Sequence, residues 1–143
     1  MPEKEEIRKT LYNIEQHRKK MLQPKFLELG LTLGQGQPRI LNALLTCENI
    51  SQKELSVLCR LDVTTLSRTL DHMEKAGLIK RNLAADCRRS HSLVLTDKGR
   101  ETAVKVRAVF NETDEIMCGG FKQSELEMLY KYLKQVERNL SEK

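Results

Sequence analysis

The sequence predicts a mainly α-helical protein with a small β-wing, that is, a winged helix-turn-helix extended by terminal helices. Two short helices with strong capping signals follow one another between Ser51 and Gly77. A basic stretch with the character of a β-hairpin comes directly after them and ends at Leu95. Amphipathic helical periodicity marks both ends of the 143-residue chain, which is long enough for one domain with a real core.

The first helix of the central pair is predicted to begin after Ser51. Serine is a favourable N-cap residue, and Glu54 three positions later completes a capping box. The helix is predicted to end at the polar residue Arg60. Its predicted buried face consists of Leu55, Leu58 and Cys59.

The second helix is predicted to begin after Asp62, a good N-cap, and to end at Gly77, which suits the C′ position. Apolar residues at spacings of three and four predict its buried face, namely Val63, Leu66, Leu70 and Met73. The opposite face carries Thr64, Arg68, Asp71 and Lys75. Short hydroxyls beside one arginine suit a major groove, where threonine methyls meet thymine and arginine meets guanine. A solvated helix face is the alternative interpretation.

The predicted wing has strands over residues 78–82 and 90–95, joined by a loop over 83–89. Arg88 and Arg89 lie at the predicted hairpin tip, where paired guanidinium groups can enter the narrow and strongly negative minor groove. An exposed basic turn is the alternative interpretation. The complete set of predicted DNA contacts is Ser51, Gln52, Thr64, Thr65, Ser67, Arg68, His72, Arg88 and Arg89.

The distribution of charge supports a nucleic-acid partner more strongly than the formal net charge of +5 does. Residues 60–100 hold nine Lys and Arg against five Asp and Glu, whereas residues 101–143 hold seven against eight. This local excess is the electrostatic footprint expected for phosphate contacts. The charged N-terminus and the lack of a long apolar run predict a cytoplasmic protein with no membrane partner.

The terminal helices predict a homodimer, because their apolar stripes are too long to be buried against a small winged domain alone. Pro24 is expected to kink or break the first helix. A helix capped by Thr96 is predicted over residues 97–118, with Val104, Phe110 and Met117 as its buried side. The last helix carries the stripe Leu126, Leu129, Leu133, Val136 and Leu140. A monomeric helical bundle is the alternative.

The sequence carries no recognisable motif for catalysis, a cofactor or a metal. The four cysteines lack the paired short spacing of a zinc site, and the three histidines are scattered over different elements. No phosphate-binding glycine loop or nucleophile frame is present, so the chain is predicted not to be an enzyme. Cys87 lies beside two arginines, which can lower a thiol pKa, and this leaves a redox-responsive regulator open as an alternative.

Several short sequence motifs, distributed over nearly the whole chain, resemble those of a known protein family. They are Leu31-Thr32, Gln37-Pro38-Arg39-Ile40-Leu41, Ser51-Gln52-Lys53-Glu54-Leu55, Thr65-Leu66-Ser67-Arg68-Thr69-Leu70, Leu78-Ile79-Lys80-Arg81 and Leu95-Thr96-Asp97-Lys98-Gly99. In these segments the sequence resembles the MarR family of bacterial transcriptional regulators, and the basic wing with its Leu-Thr-Asp-Lys-Gly ending is the most specific element.

The resemblance implies a homodimer that controls transcription by occupying promoters, as a repressor or less often as an activator. It also implies a small aromatic or anionic effector between the dimerisation helices and the winged domain, near His17, Met21 and Arg39. A structural or solvent-facing role is the alternative for each of these three residues. The wing departs from the family pattern of Asp, any residue, Arg before Leu-Thr. Counting back from Leu95 places Cys87 and Arg89 there, whereas Asp86 and Arg88 have the right mutual spacing one residue earlier.

We therefore expect a single MarR-like domain over residues 1–143, with a winged helix-turn-helix over 31–100 and dimerisation helices over 1–30 and 101–143. The predicted function is a transcriptional repressor that binds palindromic double-stranded DNA as a homodimer. A winged-helix module for protein interaction, with weak DNA binding, remains the alternative from a different class.

Overall fold

The computed structural model describes residues 1–32, 36–47, 49–84 and 87–142, without the side chains of 83, 84 and 87–91. These residues form two compact units, Met1–Asn111 and Glu112–Lys143. The elements in chain order are α1 (Lys4–Glu28), α2 (Gln37–Thr46), β1 (Ile50–Ser51), α3 (Gln52–Cys59), α4 (Val63–Lys75), β2 (Ile79–Ala84), β3 (Cys87–Leu95), α5 (Asp97–Met117) and α6 (Gln123–Ser141). The predicted fold class, mainly α with a small β-wing, is confirmed.

One hydrophobic core organises the first unit. Its fully buried members include Phe26, Ile40, Leu41, Leu55, Leu66, Leu70, Met73, Leu93 and Val106. The ring of Phe26 meets the ring of Phe110 edge-on, with 5.2 Å between the centroids. Helices α1 to α5 and the sheet all contribute to this core, so the orientation of the helix pair α3–α4 is set by tertiary packing.

Two residues that were predicted to be buried in the helix pair are exposed. Leu58 is 54% exposed and Val63 is 67% exposed. In α3 the buried line runs through Leu55 and Cys59, which lie one above the other, and Leu58 points away from it. Val63 is the first residue of α4, one turn before the apolar stripe that begins at Leu66 reaches the core.

The sheet has the strand order β1-β3-β2 and is antiparallel throughout. Ile50 pairs with Leu93, Ile79 pairs with Leu95, and the ladder becomes irregular between Leu83 and Ala84. The predicted loop over residues 83–89 is wrong, because β2 continues to residue 84 and β3 already begins at residue 87. Pairing of Leu83 with His91 and of Ala84 with Cys87 extends the two strands into this segment in spite of its polar, non-alternating sequence.

The long helices also differ from expectation. Helix α1 runs through Pro24 without a break, because the adjacent anchors Leu22 and Phe26 are both buried and outweigh one lost backbone hydrogen bond. In α5, Val104 and Met117 are 53% and 49% exposed and not buried as predicted. Within the first unit, the stripe of α5 that faces the core is Gly99, Ala103, Val106 and Phe110. Phe110 packs against the core as predicted, whereas the small residues Gly99 and Ala103 were not among the residues predicted to be buried.

The segment Leu95 to Gly99 joins the end of α4 to the start of α5. The Thr96 hydroxyl donates to the Gly77 carbonyl and accepts from the Gly99 amide at 3.0 Å, and Lys98 Nζ donates to the Ala76 carbonyl at 3.0 Å. A Cβ atom on Gly99 would lie 1.9 Å from the Leu78 carbonyl oxygen. We call this set of contacts the α4 clamp, because it holds the C-terminal end of α4 against α5.

Gly99→Ala is expected to lower the free energy of unfolding by about 1–3 kcal/mol or more, because the added methyl group must push backbone atoms apart. The matched control is Gly119→Ala, whose Cβ would meet its nearest neighbour at 3.3 Å. The control is expected to change stability by less than about 0.5 kcal/mol. Urea unfolding followed by circular dichroism measures both, and equal effects would contradict the close approach at Gly99.

Candidate nucleic-acid interface

The turn between α3 and α4 is defined by three residues. Arg60 has the left-handed backbone conformation, with φ 53°, and ends α3 where the sequence predicted. Its amide bonds to the Val57 carbonyl, and the Leu61 amide bonds to the Ser56 carbonyl. Asp62 then begins α4. These local bonds connect the two helices through a turn of three residues, which is the short connection that a helix-turn-helix requires.

Both predicted helix caps are confirmed. The Ser51 hydroxyl accepts from the Glu54 amide at 3.1 Å, and the Glu54 carboxylate accepts from the Ser51 amide at 3.3 Å. Asp62 accepts from the Thr65 amide and from the Thr65 hydroxyl, both at 2.8 Å. These bonds from Thr65 favour the charged carboxylate and hold the pKa of Asp62 below its ordinary value.

The lowered pKa of Asp62 predicts a pH-dependent contribution to stability. This contribution is fully present above the unfolded pKa of the carboxyl group and is lost as the pH falls through the lower, folded pKa. Asp62→Asn keeps an acceptor oxygen but does not titrate. The melting temperature of the wild type should therefore fall relative to that of Asp62→Asn on acidification through this window. A difference in melting temperature that stays constant down to about pH 2 would contradict the role of the charge.

The outward face of α4 is formed by the predicted residues. Thr64, Arg68, Asp71, His72 and Lys75 are all exposed, whereas Leu66, Leu70 and Met73 are buried on the other side. The spacing of Thr64, Arg68 and Lys75 places them along one helical surface. Thr65 and Ser67 are half-buried at its margin, and the hydroxyl of Thr65 is already bonded to Asp62. We call the exposed set the reading face.

Of the remaining predicted DNA contacts, the structure describes the side chains of Ser51 and Gln52 but not those of Arg88 and Arg89. Ser51 and Gln52 lie half-buried at the N-terminal end of α3, and the side-chain oxygen of Ser51 serves as the helix cap. The side chains of Arg88 and Arg89 lie outside the described residues, as does that of Cys87. Their backbone belongs to β3, so they lie in a strand and not in the predicted loop.

An anchor between the wing and α4 was not predicted. Arg81 of β2 donates to the Asp71 carboxylate at 2.8 Å and to the Glu74 carboxylate at 3.1 Å, and its side chain is only 18% exposed. The guanidinium neutralises two carboxylates that would otherwise repel a phosphate backbone near the reading face. Asp71 and Glu74 are three residues apart on one helix face, and this spacing allows them to share a cationic partner. Only the folded structure shows that this partner is Arg81.

A cleft of about 570 Å³ opens among α1, the start of α2 and α5. Its lining residues are Glu15, Arg18, Lys19, Leu22, Gln23, Pro38, Arg39 and Phe110. Leu22, Pro38 and Phe110 form the apolar part of the wall. Three cationic side chains and one carboxylate, that of Glu15, also line the cleft. Of the three residues expected near an effector, Arg39 lines this cleft, while His17 and Met21 are exposed and are not among its lining residues.

The described residues show no group of three or more His, Cys, Asp or Glu side chains arranged to hold a metal ion. The described cysteines, Cys47, Cys59 and Cys118, are free thiols, and burial raises the pKa of Cys59. No helix in the described part of the chain is long and apolar enough to cross a membrane.

The two-helix turn, the reading face and the antiparallel wing together define a winged helix-turn-helix protein. A model of the MarR family matches residues 29–90, which comprise this region from the approach to α2 into β3. Over residues 29–90 the chain is similar to the MarR family, and the resemblance stated from sequence is confirmed.

Solved structures agree with the fold along almost the whole chain. The transcriptional regulator SlyA is 24% identical, with a TM-score of 0.84 over 95% of this chain and 94% of that chain. A MarR family transcriptional regulator from Listeria monocytogenes, complexed with 26mer DNA, is 25% identical, with a TM-score of 0.85 over 99% and 91%. MepR from S. aureus, in a DNA complex, is 20% identical, with a TM-score of 0.83 over 91% and 95%.

Proposed function

We propose that this protein is a cytoplasmic, homodimeric repressor that binds a palindromic DNA operator through α4 and the wing, and that a small anionic effector releases it. The observation that carries the proposal is the reading face, where Thr64 and Arg68 are exposed on a helix anchored at both ends. Major-groove recognition uses these side chains, because arginine pairs with guanine and threonine methyls contact thymine. The Listeria regulator, described as a DNA complex, has the same fold over 99% of this chain.

The proposal is tested by selection of binding sites from random DNA duplexes, followed by titration of the selected site with salt. A repressor of this kind should enrich an inverted repeat with half-sites about one helical turn apart. Binding to random DNA should be weaker by about 10³-fold or more. Equal affinity for selected and random duplexes would favour the alternative, a winged-helix module for protein interaction.

Arg68→Ala is expected to cost about 1–3 kcal/mol on the selected site and to relax the preference at one base pair per half-site, because a bidentate contact with a guanine is lost. Lys105→Ala is the matched control, since it removes one exposed positive charge from α5 and leaves the reading face intact. Fluorescence anisotropy on selected and random duplexes measures both variants. Equal losses of Arg68→Ala on the two duplexes would show that Arg68 contacts only phosphate.

The wing is the second part of the proposed interface. Arg88 and Arg89 lie at the start of β3, next to the connection from β2, and their side chains can supply a minor-groove insertion and a phosphate contact. The anchor of Arg81 on α4 would fix the wing relative to the reading face. Because Arg81 is bound to two carboxylates, it adds little positive charge to the surface. Its role in the interface would be to hold the wing in position against α4.

The apolar surface of the terminal helices supports the homodimer. Helix α6 has no buried residue, although Leu129, Leu133 and Leu140 are 39%, 42% and 74% exposed. Helix α1 likewise exposes Ile7, Leu11 and Ile14. Stripes of this kind need a covering surface, and a second copy supplies one with the two-fold symmetry of a palindrome.

Replacing Leu129 and Leu133 together with Asp is expected to give a folded monomer that loses specific DNA binding. Both positions are substantially exposed in the single chain, so the new charges oppose association more than folding. The control is Lys131→Asp with Gln135→Asp, at the same spacing on the opposite face of α6. Sedimentation equilibrium and circular dichroism measure assembly and folding. A wild type that is monomeric at micromolar concentration would rule out the dimer.

The cleft supports an anionic effector. Arg18, Lys19 and Arg39 offer positive charge, although Glu15 is already paired with Arg18 at 3.4 Å. The apolar contributions of Leu22 and Phe110 suit a ligand with a hydrophobic body. A small carboxylate with an aromatic or aliphatic group therefore matches the cleft in both charge and polarity.

A further inference from the structure

Arg39 belongs to two structural features at once. Its side chain lines the cleft among α1, α2 and α5. The same guanidinium donates from Nη1 to the carbonyl oxygen of Cys59 at 2.8 Å. Cys59 is the last residue of α3 and directly precedes Arg60, whose left-handed conformation begins the turn into α4. One side chain therefore connects the cleft wall to the helix-turn-helix.

The electrostatics of α2 and α3 make this link unusual. Arg39 lies in the first turn of α2, where the helix dipole disfavours a positive charge. Its bond to Cys59 places that charge at the C-terminal end of α3, where exposed carbonyl groups favour a cation. The arginine therefore stabilises the end of α3 and destabilises the start of α2. The stability of α2 alone does not explain why an arginine occupies this position.

A second contact ties the same end of α2 to the turn. Gly36 is the N-cap of α2 and has φ +76°, and a Cβ atom on it would lie 2.7 Å from Cδ1 of Leu61. Leu61 lies within the three-residue turn. The start of α2 thus touches the turn at two points, through the hydrogen bond at Cys59 and through packing at Leu61.

We propose that Arg39 is the positioning residue through which an anion in the cleft changes the geometry of the α3–α4 turn. A carboxylate forms charge-assisted, bidentate bonds to a guanidinium, which are stronger than a bond to one neutral carbonyl. An anion held by Arg39 therefore draws the guanidinium away from Cys59 and weakens the support of the turn. This inference rests on the proposed function, since the turn sets the orientation of the reading face.

The inference predicts a reciprocal coupling between anion and operator binding. The probe is benzoate, which has a carboxylate and an apolar ring, and benzamide is its neutral counterpart. Saturating benzoate should weaken binding of wild-type protein to its selected DNA site by about fivefold or more. Benzamide at the same concentration should leave the affinity unchanged.

Two substitutions separate binding of the probe from transmission of its effect. Lys19→Gln removes a cation from the α1 wall of the cleft and should weaken benzoate binding, but the ratio of DNA affinities at saturating benzoate should stay as in the wild type. Arg39→Gln should bring that ratio to about one and should alter DNA affinity without any probe. Isothermal titration calorimetry with benzoate establishes saturation for each variant.

Hydrogen exchange on the wild type provides a test that does not depend on how Arg39→Gln folds. Benzoate should accelerate exchange of the Arg60 and Leu61 amides, which are bonded across the turn. An unchanged exchange rate at saturation, no response of DNA affinity to benzoate, or an Arg39→Gln ratio equal to that of the wild type each overturns the inference. Those three results leave site selection intact, whereas a wild type that selects no site overturns the proposed function itself.

Discussion

The α4 clamp is the constraint on which the orientation of the reading face depends. Thr96 and Lys98 bond the carbonyl groups of Gly77 and Ala76 that follow α4, while Gly99 allows α5 to approach the Leu78 carbonyl closely. Residues 78 and 79 then lead directly into the wing. Because Asp62 fixes the other end of α4, the helix is held at both termini, and its outward side chains keep one orientation relative to the wing.

Several arginines form bonds within the chain. Arg81 is bonded to Asp71 and Glu74, Arg39 to the end of α3, and Arg107 to Asn42 and to Thr46 of α2. These arginines act as cross-links between elements, where a guanidinium offers several donors in a fixed plane. Arg81 is one of the nine cations of residues 60–100, so the basic excess of that segment overstates the charge that is left for phosphate groups. Arg68 on α4 is exposed and is therefore the more important cation for DNA contact.

Local signals predicted much of the helix pair correctly. The caps at Ser51 and Asp62, the end at Arg60 and the left-handed Gly77 all follow from bonds between residues close in sequence. The predictions of buried residues were less accurate where burial depends on elements that are distant in sequence. Leu58, Val63, Val104 and Met117 are apolar yet exposed, and the inward stripe of α5 includes two small residues that were not predicted to be buried.

The sequence by itself determined the elements that short-range chemistry controls, namely the capped helix pair, the wing that follows it and the polar outward face of α4. Only the tertiary structure decided which charges remain available and which are bonded. It joined Arg81 to two carboxylates on α4, and it brought Arg39 to the carbonyl of Cys59, twenty residues away. Such contacts depend on the relative placement of packed helices, and that placement arises from the core as a whole and from no single segment of the chain.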